Sequence, residues 1–310
     1  MIASPVYTLD QALEIAEQTS LEELCKTADW LCRARQGNTF DICSIINARS
    51  GSCSEDCKYC AQSSHYPTNI DCYELIEEEK VLSQACQNDL YGIKRLSLVT
   101  AGHSLNKEQL LAMGGLYASM AERTGLQFCA SMGFLTEESA RKLISFGVSR
   151  YHCNLETCRD FFPQICTTHS WEEKVETLKF ARQAGMDICS GGIFGLGESL
   201  RQRLQLAFEL RELGVLSIPL NILSPIQATP LQDIVPISFK DVLRSVAMFR
   251  LINPQAVIRI AGGRGRFNDG QYALFASGAN GAIVGDYLTT AGSGVEKDFQ
   301  EFLKLGFDLQ

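Results

Sequence analysis

With 310 residues, 45% of them hydrophobic and 21% charged, the chain can bury a sizeable core in one large domain or two small ones. Its formal net charge of −8, without a long basic run, argues against nucleic acid or an anionic membrane surface as partner. The N-terminal residues lack a secretory pattern and no apolar run reaches transmembrane length, so the expected setting is the cytoplasm, and thirteen cysteines read as metal ligands and buried thiols rather than a disulfide framework.

Residues 9–36 read as helical. Leu13, Ala16, Leu21, Leu24, Ala28 and Leu31 recur at roughly helical spacing, and Ser20 with Glu23 resembles a capping box. Cys25 and Cys32 on this segment read as packed apolar thiols. After Gly37, short β-branched segments alternate with longer amphipathic ones. The strand candidates are Phe40–Asn47, Arg95–Val99, Gln127–Met132, Arg150–Glu156, Asp187–Gly192, Ser217–Leu223, Val257–Ala261 and Ala282–Gly285. Between them lie helix candidates Glu74–Cys86, Lys107–Arg123, Thr136–Phe146, Trp171–Ala184, Ser199–Leu213, Ser238–Ile252 and Asp269–Ser277, with Glu296–Leu305 last. Gly125, Gly147, Gly185 and Gly214 follow helices, as C-terminal capping glycines do. The alternation predicts an α/β fold: a (β/α)8 TIM-type barrel over residues 39–310 with an N-terminal helical extension over 1–38.

Directly after the first strand comes Gly51-Ser52-Cys53-Ser54-Glu55-Asp56-Cys57-Lys58-Tyr59-Cys60. Cys53, Cys57 and Cys60 stand at C-x3-C-x2-C spacing. Three thiolates on a short loop can hold three irons of a cubane cluster and leave the fourth open to an exogenous ligand. The competing reading is a zinc knuckle with His65 as fourth ligand, although such sites usually use C-x2-C pairs. In a barrel, loops after the strands face the active site, which favours the cluster.

Strand parity sorts the rest. His152, Asn154 and Glu156 share one face of the fourth strand, and Arg95 and Ser97 one face of the second. Cys129 shares a face with Ser131, Cys189 with Gly191, and Cys43 with Ile45 and Asn47. Arg259 alternates with Ile258 and Ile260. The polar sets are expected inside and Cys153 outside. An interior holding Cys43, Cys129, Cys189, Arg95 and Arg259 is unlike the branched apolar filling of an ordinary barrel. It points to a second iron–sulfur cluster, or else to inert buried thiols with paired arginines. Gly191-Gly192, opening the run that ends Gly197-Glu198, reads as a backbone cradle for a cofactor. Asn154 and Glu156 suit a ribose, and Asn221 suits a neutral amide or urea group; each could equally be an internal hydrogen-bonding residue.

Taken together, Gly51–Ser63, Tyr151–Thr157, Thr167-Thr168, Ile188–Glu198, Pro219–Leu223, Thr229-Pro230, Ile258–Arg264, Gly278-Ala279-Asn280 and Leu288-Thr289-Thr290 resemble the biotin synthase family of the radical S-adenosylmethionine superfamily. The resemblance runs along nearly the whole chain. It implies a homodimeric barrel enzyme that converts dethiobiotin to biotin. A [4Fe-4S] cluster would cleave S-adenosylmethionine, an auxiliary iron–sulfur cluster would give the sulfur, and a flavodoxin or ferredoxin would supply electrons. Carried over by position, Cys53, Cys57 and Cys60 hold the first cluster, and Cys129, Cys189 and Arg259 the second. Asn154, Glu156 and Lys174 meet the cofactor, and His152 and Asn221 the substrate.

The chain departs from the family pattern at three places. Ser97 replaces a cysteine on the second strand. His152 and Glu156 stand where asparagine and aspartate are usual. Cys43 replaces a serine of the first strand. The expectation is therefore an auxiliary cluster with an altered ligand set that includes Cys43, with a four-iron form favoured over [2Fe-2S]. Related barrel enzymes of hydrogenase-cofactor maturation or amino-acid rearrangement, and a non-catalytic iron–sulfur protein, are the alternatives.

Overall fold

A computed structural model describes residues 7–285, 288 and 294–309; Thr289 and Thr290 of the last motif lie outside them. The strands are β1 (Thr39–Arg49), β2 (Arg95–Thr100), β3 (Gln127–Ser131), β4 (Val148–His152), β5 (Asp187–Cys189), β6 (Gly192–Phe194), β7 (Ser217–Ile222), β8 (Val257–Ile260), β9 (Gly281–Ile283) and the short β10 (Asp308–Leu309). Neighbours pair in the order β5-β4-β3-β2-β1-β9-β8-β7-β6, with β10 on β1, and every ladder is parallel. β5 and β6, at the two ends of that order, are consecutive in the chain. The Ser190 N–H between them donates to the Ser217 carbonyl (3.0 Å). One interrupted strand thus serves β4 with its first half and β7 with its second, and the ring closes with eight staves.

The helices are α1 (Leu9–Gln18), α2 (Leu21–Gln36), α3 (Glu78–Leu90), α4 (Lys107–Ala121), α5 (Glu137–Ser145), α6 (Trp171–Gln183), α7 (Leu200–Glu212), α8 (Phe239–Ile252) and α9 (Val295–Lys304). Residues expected as one helix over 9–36 form two. Thr19 is extended (φ −79°, ψ 136°), and Ser20 restarts the helix by accepting from the Glu23 N–H (3.2 Å). α2 packs on α8 and α1 on α7 and α8, which buries Ala12, Ala16, Leu24, Ala28 and Cys32.

Several boundaries move from the sequence expectation. α3 starts at Glu78 rather than Glu74. The last-but-one helical position is a 3-10 stretch over Arg264–Leu274, kinked at Asn268 (φ 49°). Gly147, Gly185 and Gly214 take left-handed backbone; Gly125 does not. β4 ends at His152, short of Glu156, because the chain then turns: Asn154 Oδ1 accepts from the Gly191 N–H (3.0 Å) and Glu156 has φ 68°.

Burial along β1 alternates. Phe40, Ile42, Ser44, Ile46 and Ala48 are buried against the helices, while Asp41, Cys43, Ile45 and Asn47 are half-buried toward the barrel interior. The apolar core therefore fills the layer between strands and helices, and the interior is left for polar groups. Among the described residues no helix is long and apolar enough to cross a membrane.

Close packing of staves explains one glycine. A Cβ on Gly191 would fall 1.8 Å from the Pro219 carbonyl oxygen. Gly191→Ala is expected to cost about 3 kcal/mol through overpacking and to lower Tm by roughly 5 °C or more, read by calorimetry of the cluster-free chain.

Candidate functional site

A cavity of about 420 Å3 opens between the C-terminal ends of the strands and runs down inside the barrel. Cys53, Cys57 and Cys60 line its mouth, Asn154, Glu156, Lys174, His152 and Asn221 its middle, and Cys43, Cys129, Cys189 and Arg259 also line it.

The cysteine loop is folded on itself and strapped from outside. The Cys53 N–H donates to the Gln62 carbonyl (2.9 Å), Ser64 N–H to the Cys53 carbonyl (2.8 Å), and Cys60 N–H to the Cys57 carbonyl (2.9 Å). The strap is the segment before α6. Asp56 accepts from the Thr167 and Thr168 N–H groups (2.8 and 3.2 Å) and from the Thr167 hydroxyl. The Lys58 N–H donates to the Ile165 carbonyl (3.0 Å). Desolvation opposes ionisation of Asp56, but these donors outweigh it and hold its carboxyl well below the usual range. Asp56→Ala should loosen the loop and weaken cluster retention by about 10- to 100-fold, measured as iron lost to a chelator under anaerobic conditions.

Without metal, Cys57 and Cys60 are held toward the protonated thiol. A hydrogen bond with Cys166, then burial, pushes Cys57 up, and burial pushes Cys60 up to about 11. Iron binding must therefore displace protons. His65 is exposed, and its Nε2 is spent on the Ser54 carbonyl (2.9 Å) rather than turned to the thiols. All thirteen cysteines are free.

Two neighbours of this loop escaped the sequence reading. Cys166 Sγ lies 3.8 Å from Cys57 Sγ and 3.3 Å from His169 Nδ1, and His169 also bonds Glu55. Among the described residues this is the one group whose ligand atoms come within 4.8 Å of one another. That spacing matches a single tetrahedral ion, whose bonds of about 2.3 Å keep sulfurs close. Cys53, Cys57 and Cys60 are more widely spread, as a multi-iron cluster requires, so this donor set fits a cubane.

In the middle zone Glu156 is held in left-handed backbone, and its Oε2 is buried without a partner among the described residues. A strained residue with an unspent acceptor is a common mark of a ligand contact. Lys174 is buried. Desolvation lowers its pKa, but Cys153, Glu156 and Cys57 nearby raise it further. Asn154 spends its Oδ1 on Gly191, which leaves its amide nitrogen for a ligand. Asn221 accepts from the Gly262 N–H (2.9 Å) and reaches the Gly192 carbonyl (3.4 Å).

Gly191 and Gly192 are embedded in the wall instead of lining the cavity: Cβ atoms there would meet Pro219 and the Glu156 carbonyl. Close packing alone accounts for glycine at both positions. Cys153, expected outward, also lines the cavity, because strand alternation stops at His152.

Toward the barrel's base, parity holds for Cys43, Cys129, Cys189, Arg95 and Arg259. Cys189 Sγ is contacted by His152 Nδ1 (3.4 Å), Ser217 Oγ (3.2 Å) and Arg259 Nη1 (3.8 Å). Burial opposes its ionisation, but His152, Arg259 and Arg150 outweigh that and pull it to about 6. Burial pushes Cys43 up to about 12 and also raises Cys129. Arg259 is 2% exposed and ion-pairs with Asp41. Ser97 Oγ, level with Cys129 across the ladder, is buried and unpartnered among the described residues. Three soft donors, cationic guanidiniums and an unfilled interior fit an anionic iron–sulfur cluster.

Comparison with known proteins agrees with this geometry. Residues 49–210 match the radical SAM superfamily model and residues 219–308 the Biotin and Thiamin Synthesis associated domain. The chain is 52% identical over 300 residues to the biotin synthase of Desulfotalea psychrophila, covering 97% of this chain and 89% of the relative. It is 44% identical over 305 residues to that of Acetivibrio thermocellus, covering 98% and 95%. Among solved structures it resembles methylornithine synthase (TM-score 0.84, 18% identity, 99% of this chain and 95% of that one). It also resembles the FeFe-hydrogenase maturase HydG of Carboxydothermus hydrogenoformans (TM-score 0.82, 15% identity, 99% and 76%). At such identities these two speak for the radical SAM barrel fold alone. The family models and the curated relatives carry the assignment further: the chain belongs to the biotin synthase family of radical SAM enzymes.

Proposed function

We propose that this chain converts dethiobiotin to biotin by radical sulfur insertion, using two iron–sulfur clusters in one barrel. Cys53, Cys57 and Cys60 would hold the first cluster, and Cys43, Cys129, Cys189 and Arg259 the second. When bound, the first cluster supplies the electron that cleaves S-adenosylmethionine, and the second supplies sulfur. The observation that carries the reading is the set of three thiols collected around Arg259 below the cofactor zone. Three thiols suit a four-iron cluster with an open iron better than a two-iron cluster, and Ser97 offers no soft donor.

The chain's own residues bind and orient. The Glu156 carboxylate accepts from ribose hydroxyls, and the Asn154 amide nitrogen donates to the same nucleoside. Lys174 meets the cofactor's carboxylate side as a buried cation. Asn221 and His152 receive the ring of dethiobiotin, Asn221 through its carboxamide and His152 from beside Cys189. By family resemblance the enzyme works as a cytoplasmic homodimer reduced by a flavodoxin or ferredoxin.

The test is an anaerobic incubation with dethiobiotin, S-adenosylmethionine and a strong reductant. Biotin, methionine and 5′-deoxyadenosine are the expected products. Formation of 5′-deoxyadenosine without biotin would favour a related barrel enzyme, and neither product a non-catalytic protein.

A further inference from the structure

The barrel has a second cavity at its other end. About 320 Å3 in volume, it opens between the N-terminal ends of the strands, with Thr39, Asp41, Lys94, Arg95 and Gln127 in its wall. Arg95 lines this cavity and the upper one alike. Across the ladder it stands level with Cys43 on one side and Gln127 on the other. Asp41, in the wall of the lower cavity, is ion-paired with Arg259, in the wall of the upper. The partition is therefore a plate of charged side chains, where an ordinary barrel stacks layers of branched apolar ones.

That plate carries unspent donors. Arg95 Nη1, Arg150 Nε and Arg259 Nε are buried and lack a hydrogen-bond partner among the described residues. Buried donors left unmade are costly, and each calls for an acceptor. Lys94, Arg95, Arg150 and Arg259 also outweigh the nearby carboxylates. Of these, Asp41 is paired with Arg259, Asp187 lies 3.7 Å from Arg150, and Asp308 pairs with Thr39 in the β10 ladder. The lower cavity itself is lined by Lys94 and Arg95 against one carboxylate, Asp41, which Arg259 already holds, and this lining with such donors behind it suits small anions.

We propose that the lower cavity binds hydrosulfide, a small soft monoanion, and passes it by Arg95 to the thiols at the base. The inference rests on the auxiliary-cluster reading given above. Sulfur leaves that site with every product molecule, while cofactor and substrate fill the upper cavity; the lower one stays open. Entry as HS−, with loss of one proton to solvent on incorporation as sulfide, changes no oxidation state and needs no oxidant.

Reconstituted full-length protein is held anaerobically with S-adenosylmethionine and dethiobiotin to cover the upper opening, and isotopically labelled sodium hydrosulfide is added. Label in acid-labile sulfide is followed by mass spectrometry, without reductant. Wild type takes up label at its second cluster by exchange, one unlabelled sulfide leaving as hydrosulfide for each labelled one that enters. Gln127→Trp, which fills the lower mouth, and Lys94→Glu, which reverses a charge there, each slow uptake about ten-fold. Should Gln127→Trp fail to fold, Lys94→Glu carries the comparison. Uptake at the wild-type rate in a folded variant overturns the port. A wild-type chain without second-cluster absorption before label is added overturns the auxiliary-cluster reading itself, and the two failures are thus told apart.

Discussion

Cys189→Ala should abolish biotin formation and leave S-adenosylmethionine cleavage standing. Cys189 is buried and touched at once by His152, Ser217 and Arg259. It is the one base thiol whose surroundings favour the thiolate, drawn to about 6 while Cys43 is pushed to about 12. Metal binding needs the thiolate, so Cys189 is the ligand whose loss the site tolerates least. Biotin yield is expected to fall by at least about 100-fold. The C-x3-C-x2-C loop, held by Asp56 and its own backbone, does not depend on Cys189. The 5′-deoxyadenosine produced should therefore stay within a few-fold of wild type. Loss of both products together would mean that the base thiols serve radical generation instead.

Cys43→Ser carries the second large effect. Cys43 faces the interior level with Arg95, and its charge is coupled to Arg259, Cys129 and Cys189. As the third thiolate of a four-iron cluster, its loss should remove about four irons per chain and cut biotin yield by about ten-fold or more. Cys25→Ser, at a half-buried position on α2, serves as the control and should change neither. Full retention of the auxiliary spectrum in Cys43→Ser would exclude it as a ligand and return the site to Cys129, Cys189 and Arg259 alone.

Much of this site could be read locally. The cysteine loop is one contiguous stretch, and strand parity needs only a period of two, so Cys43, Cys129, Cys189 and Arg259 could be turned inward from the sequence. What could not be read depends on segments far apart in the chain. Asp56 finds Thr167 across 111 positions, and nothing near either residue announces the bond. Cys166 and His169 reach the cysteine loop through the same strap. The early end of β4 and the break between β5 and β6 meet at a contact, Asn154 with Gly191, that local propensity does not encode. The glycines at 191 and 192 admit two readings for a related reason. A glycine serving a ligand and a glycine serving a neighbouring strand look alike until Pro219 and Glu156 are seen beside them.

The central claim is that sulfur for biotin comes from a cluster held at the base of the barrel. The most direct measurement is reconstitution with labelled sulfide and iron, Mössbauer and iron counting, then a single turnover in unlabelled buffer with mass analysis of the biotin. About eight irons per chain, and biotin carrying the label, are the predicted result. About four irons per chain, or biotin whose sulfur is unlabelled, would contradict it.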